Sequence, residues 1–99
     1  MATDDAFAAG TAKVLRHRNP VQDSYIVVFD DSVANERVEP LARDLARRHH
    51  VQIERRGAAE SIFRFALKGF GGRMTDAAAE GIAEEPGVAF VEQDAYVQT

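Results

Sequence analysis

Ser24-Tyr-Ile-Val-Val-Phe29 is rich in β-branched and aromatic residues, is apolar on both of its faces, and stops at the turn-forming cluster Asp30-Asp31-Ser32. Tyr25, Val27 and Phe29 alternate with Ile26 and Val28, so an extended backbone here shows hydrophobic side chains above and below. A strand with two apolar faces asks for cover on both. A chain of 99 residues makes one small domain that buries only about 60–65% of its unfolded surface, so cover is scarce and stability is expected to be modest.

The segments beyond this strand set the architecture. Val38, Leu41, Ala42, Leu45 and Ala46 are spaced i, i+3, i+4, i+7, i+8, the stripe of an amphipathic helix with Arg43, Asp44, Arg47 and Arg48 on its solvent side. Pro40 belongs in a first turn, so the helix is expected to start near Glu39, after a turn at Ser32 to Asn35, and to end around His49 and His50. Val51-Gln-Ile-Glu-Arg alternates as an edge strand does, and Gly57-Ala-Ala-Glu60 links it, as a hairpin or a looser pair, to Ile62-Phe-Arg-Phe-Ala-Leu67. In that second strand Phe63, Phe65 and Leu67 form a strongly apolar face, opposite Ile62, Arg64 and Ala66. Gly69-Phe-Gly-Gly-Arg73 reads as a glycine-rich turn, and Thr75 caps a second helix with Met74 as its staple and Ala78, Ile82 and Ala83 inward. Pro86-Gly87 closes that helix, and Val88 to Val91 form a last strand.

The order strand, helix, strand, strand, helix, strand predicts an α+β fold, the ferredoxin-like βαββαβ sandwich: a four-stranded antiparallel sheet with two helices on one face. Its first and third strands are central. Two helices cover one face, so whichever parity of the first and last strands faces them leaves an apolar set on the open side, a docking surface. The first twenty residues, ending at Asn19-Pro20, read as a flexible leader that adds nothing to the core, with order starting near Val21. Residues 21–94 then make the domain and 95–99 an extended tail.

Composition narrows the function. Twelve basic against sixteen acidic residues leave a net charge of -4, which argues against a nucleic-acid backbone as ligand. With no cysteine there is no disulfide, thiolate metal site or cysteine nucleophile. No stretch approaches the length of a membrane span, and the Met-Ala-Thr-Asp-Asp start has neither the basic segment nor the apolar run of a signal peptide. The expectation is that any export signal was removed or never existed.

Catalytic and ligand-binding constellations are weak. His49 and His50 share a helix end where positive charge is favoured, without a third ligand at metal-binding spacing, so no metal is expected. Ser24, Ser32 and Ser61 lie in no nucleophile-elbow context, and His17 falls in the leader, so no triad and no enzyme is expected. Gly69-Phe-Gly-Gly lacks the lysine and hydroxyl of a phosphate loop. Phe63-Arg-Phe65 would serve an RNA-binding platform only if its rings faced solvent, and the chain is acidic. No cofactor is called for.

The residues that carry a resemblance are Tyr25-Ile-Val-Val-Phe29, Leu67-Lys-Gly-Phe70 with Met74, and Pro86-Gly-Val-Ala-Phe-Val-Glu-Gln-Asp94. Together they span about 24 to 94, and the closing motif is the most specific. On these segments the chain resembles the subtilisin propeptides, or I9 inhibitors, which include the propeptides of proteinase-K-like serine proteases. The resemblance implies the fold reached above and a role as intramolecular chaperone and tight, product-like inhibitor of a cognate subtilisin-like serine protease. It implies a secreted precursor as its setting, and a protease catalytic domain, not a nucleic acid or membrane, as partner.

In the family the sheet packs on two surface helices of the protease, and acids of the closing motif cap their N-termini. By position these acids are Glu92 and Asp94. The physics is sound, because the first N–H groups of a helix lack partners and carry partial positive charge. The family's tail then enters the substrate cleft as an added strand, which by position gives Tyr96, Val97, Gln98 and Thr99 that role. With Thr99 as the cleaved end, Tyr96 takes the fourth pocket; counted from Asp94 with the commonest family spacing, Val97 does. Two other readings stand beside this one: a free-standing I9-type inhibitor, and a ferredoxin-like regulatory module that binds a small ligand and dimerises through its sheet.

Overall fold

The computed structural model describes residues 13–95. It is a mixed α+β fold in the order β1 (Val14–Leu15), β2 (Pro20–Phe29), α1 (Asn35–His49), β3 (Gln52–Ile53), β4 (Arg55–Arg56), β5 (Ala59–Glu60), β6 (Ile62–Arg64), β7 (Lys68–Arg73), α2 (Asp76–Ala83) and β8 (Val88–Ala95). The main sheet has six strands, not the four expected. Its order is β1-β8-β2-β7-β3, with β6 also on β7 and β4-β5 a separate hairpin. It is also not purely antiparallel, because β1 runs parallel to β8.

The apolar stripe of α1 is as its periodicity predicts, with Val38, Ala42, Leu45 and Ala46 buried. Its start is not at Glu39 but four residues earlier, so Pro40 sits in the second turn. There it offers no N–H to the Glu36 carbonyl, and both residues are exposed. At the far end His50 adopts a left-handed conformation at φ 60° and its N–H bonds the Ala46 carbonyl. α2 begins as expected, with the Thr75 hydroxyl accepting from the Ala78 N–H at 3.1 Å.

The largest departure concerns the glycines. Lys68-Gly-Phe-Gly-Gly-Arg73 is not a turn but the strand β7, held between β2 and the edge. A Cβ on Gly69, at φ 154°, would lie 1.9 Å from the Val27 carbonyl oxygen, and one on Gly72 would lie 2.6 Å from Val51 Cγ1. Close approach of neighbouring strands therefore requires glycine inside this strand. The stretch expected as a full strand is correspondingly short: it ends at Arg64, and residues 65–67 form the bend into β7. Its parity is reversed as well. Ile62 packs against the core, whereas Phe63, Phe65 and Leu67 are 39%, 72% and 49% exposed.

β3 and β6 pair with opposite ends of β7, so they are two pieces of one edge strand. The hairpin β4-β5 is inserted between them, turning through Gly57 at φ 64°. Val14, 6% exposed, joins the core, which corrects the expectation that residues before Val21 add nothing to it. The remainder of that expected leader, residues 1–12, lies outside the described residues.

One core cluster gathers Tyr25, Val27 and Phe29 of β2, Phe70 of β7, Val88 and Val91 of β8, and the inner residues of both helices. Phe29 and Phe70 meet with ring centroids 6.0 Å apart. Among the described residues no helix is long and apolar enough to cross a membrane.

Candidate functional site

Strand parity decides what the second face of the sheet displays. Val27 pairs with Val91 on one side and Phe70 on the other, and all three are fully buried under the helices. Their neighbours must therefore point to the opposite face: Ile26 beside Glu92 and Gly71, Val28 beside Phe90 and Gly69. Two residues beyond Glu92, Asp94 shares that side. The register shifts between Val28 and Phe29, so that Val88 and Val91 both turn inward while Phe90 turns out. Neither simple alternation of residues 88–91 holds, because the bulge at Ala89 changes the parity in mid-strand.

The open face is thus a small apolar stripe of the half-buried Ile26 and Phe90, with Val28 between strands at only 8% exposure, ending in two carboxylates. Glu92 Oε2 lies 2.7 Å from His17 Nε2, with both side chains over one third exposed. Asp94 is set more firmly: Ser24 Oγ, on a residue only 2% exposed, donates to its Oδ2 at 3.2 Å, and the Ala95 N–H donates to its Oδ1 at 3.0 Å. Beside Asp94 is a hollow of about 320 Å³ lined by Ile26, Ser61, Phe63, Gly71 and residues of the β4-β5 hairpin. The missing side chain of Gly71 forms part of its floor. The face therefore offers apolar area, a recess and two carboxylate acceptors, a surface matched to something that brings N–H groups.

β8 leads straight out of this face. Its final pair is Ala95 with Pro20. Tyr96, Val97, Gln98 and Thr99, the expected cleft-binding residues, lie outside the described residues.

Residues 16 and 17, which sequence reasoning placed in the leader, hold the other edge of β8. The His17 N–H donates to Gln93 Oε1 at 2.8 Å. Arg16 pairs with Asp76 and reaches Glu80 at 3.1 Å. Asp76 also accepts from the Tyr25 hydroxyl at 2.9 Å. The Arg16 guanidinium and the Tyr25 hydroxyl hold the Asp76 carboxyl below its usual range, while burial, aided by Asp76, pushes the Tyr25 phenol up. No sequence signal pointed to Ser24 and His17 as partners of this strand or to Arg16 as a partner of α2, since each contact spans 60 or more residues.

Other candidates resolve into structure. His49 pairs with Glu85 at 2.7 Å, alongside Arg48, and ties the end of α1 to the segment after α2. His50 is the left-handed cap. Phe63 and Phe65 are exposed, but at the β6-β7 bend and not on a central strand. Among the described residues no group of three or more His, Cys, Asp or Glu is placed to hold a metal ion.

Comparison with known proteins gives two matches. The family model for peptidase inhibitor I9 matches residues 24–99. The chain is also 30% identical over 101 aligned residues to a subtilisin-like protease of Coccidioides posadasii, an alignment that covers 94% of this chain and 25% of that protein. The chain thus spans about a quarter of the length of the curated relative it matches.

Proposed function

The chain belongs to the peptidase inhibitor I9 family, and from that premise we propose that it is the propeptide of a subtilisin-like serine protease, acting as its inhibitor and folding chaperone. The observation that carries the reading is the placement of Glu92 and Asp94 at the end of an apolar stripe, on the strand that leads into the tail. On this reading Ile26 and Phe90 dock on two surface helices of the protease, and the two carboxylates meet the unpaired N–H groups at the helix N-termini. Residues 96–99 then enter the cleft as an added strand, with Tyr96 or Val97 filling the fourth pocket.

The strand order β8-β2-β7-β3 inside the larger sheet, with helices after β2 and β7, supports taking the core as ferredoxin-like. Chaperoning would use the same contacts. A preformed sheet that binds two protease helices lowers the cost of a folding transition state assembled from distant segments. Secretion as part of an exported precursor belongs to the same reading.

The test is to titrate the 99-residue chain into a subtilisin-type protease and monitor hydrolysis of a chromogenic peptide. Tight, competitive inhibition below about 1 μM is expected. Undiminished hydrolysis at tens of micromolar would overturn the proposal. For the chaperone role, denatured catalytic domain is refolded with and without the chain, and an equal yield of activity would remove that half.

A further inference from the structure

The family match begins at residue 24, yet strand structure begins before it. Four consecutive residues ahead of that boundary each engage the strand that the inhibitor reading depends on, or the helix packed behind it. Val14 pairs with Val91 in parallel and is buried in the core. Leu15 pairs with Glu92. Arg16 grips Asp76 and Glu80 on α2. His17 meets Glu92 through its ring and Gln93 through its backbone N–H.

We infer that residues 14–17 form a strap, outside the family-matched stretch, that positions the last strand and its carboxylate for docking. Without it β8 is the edge of the sheet at Val91 and Glu92, paired on one side alone, and an edge strand frays or pairs with other chains. With it the strand is bonded on both sides, and its side chains at 92 and 93 are both held by His17. Arg16 acts through Asp76, which already accepts from Tyr25 of β2. One cation therefore links the strap to a helix and to the central strand, and through that link fixes the angle at which the strap lies along β8. Arg16 is a positioning residue, not a contact to the protease. A strap that pre-sets β8 contributes to affinity by removing ordering that docking would otherwise require.

This inference rests on the inhibitor reading for its second readout but not for its first. The first is hydrogen exchange on the full chain without protease. In Arg16→Ala the amides of residues 91–93 are expected to exchange about tenfold faster relative to those of α1, with Arg16→Lys between the two. A deletion of residues 1–17 should show the larger effect. The second readout is the inhibition constant against a subtilisin-type protease, expected to rise about three- to tenfold in Arg16→Ala. Val38→Ala, on the buried face of α1, serves as the control: it lowers global stability but is expected to leave the inhibition constant unchanged while the domain remains folded. Equal exchange at 91–93 in the Arg16→Ala and natural chains would overturn the strap. So would a rise in the inhibition constant that Val38→Ala reproduces at matched stability. If the natural chain does not inhibit, the inhibitor reading falls while the exchange experiment still decides the strap; if the deletion fails to fold, Arg16→Ala decides it.

Discussion

Ser24 Oγ donates to the Asp94 carboxylate at 3.2 Å across the β2-β8 pair, from a residue that is almost wholly buried. The fold itself therefore orients one of the two acids on the open face. The other, Glu92, is held among the described residues by the exposed ring of His17.

That difference separates two mutants. Glu92→Ala should weaken binding to the protease by about 1–2 kcal/mol, the worth of an ordinary helix cap, with little effect on stability. Asp94→Ala should weaken binding similarly and also cost about 1 kcal/mol of folding stability, because the Ser24 hydroxyl loses its partner. Urea denaturation and inhibition constants measured on both proteins check this, and equal stabilities would show that Ser24 finds another acceptor.

Truncation after Ala95 removes no residue of β8. The shortened chain should keep its circular dichroism spectrum and melting temperature while its inhibition constant rises at least about 30-fold, the loss of one anchoring side chain of about 2 kcal/mol. Comparing Tyr96→Ala with Val97→Ala then identifies the residue in the fourth pocket as the one with the larger loss.

Gly69→Ala should destabilise the domain by more than about 3 kcal/mol, since a methyl group there meets the Val27 carbonyl at 1.9 Å in the centre of the sheet. Gly57→Ala, at a hairpin tip where nothing lies within 4 Å of the added carbon, should cost no more than about 1–2 kcal/mol for its left-handed backbone. Thermal melts of the two side by side test the contrast.

Acid should unfold the protein in a definite way. Asp76 beside Arg16, Glu85 beside Arg48 and His49, and Glu60 beside Arg43 all have carboxyls held below their ordinary range, chiefly by hydrogen bonds from the arginines. A carboxyl depressed in the folded state contributes stability that is complete above its unfolded value, about 4, and lost as pH falls through the folded one. The arginine of each pair is 40% or more exposed, so each pair contributes little and salt weakens it. The denaturation midpoint should be flat from pH 7 to about 5 and decline below about 4, less steeply in Asp76→Asn and in high salt. A decline centred near pH 6 would assign the effect to histidine instead.

Much of the fold is legible along the chain because local periodicity is a local signal. The stripe Val38, Ala42, Leu45 places α1, Thr75 starts α2, and the doubly apolar run at residues 24–29 marks a central strand. The acids 92 and 94 stand out along the chain in the closing motif, and parity puts them on one face once the register is known. The glycines of β7 misled for a physical reason. Glycine is read as a turn because it tolerates any backbone, yet here it is required by a carbonyl from a strand some forty positions away.

Residue types and spacings within single elements were enough to establish the two helices, the strands on either side of the first helix, the closing strand with its acidic motif and the absence of thiol chemistry. It took the folded chain to show that Lys68–Arg73 is a strand, that Ala89 bulges so that Phe90 turns outward, that Ser24 orients Asp94, and that residues 14–17 pair along the last strand. Those four depend on which segments lie side by side after the chain has closed loops of about 40 residues and more, and pairing at that range leaves no periodicity in the segments that take part.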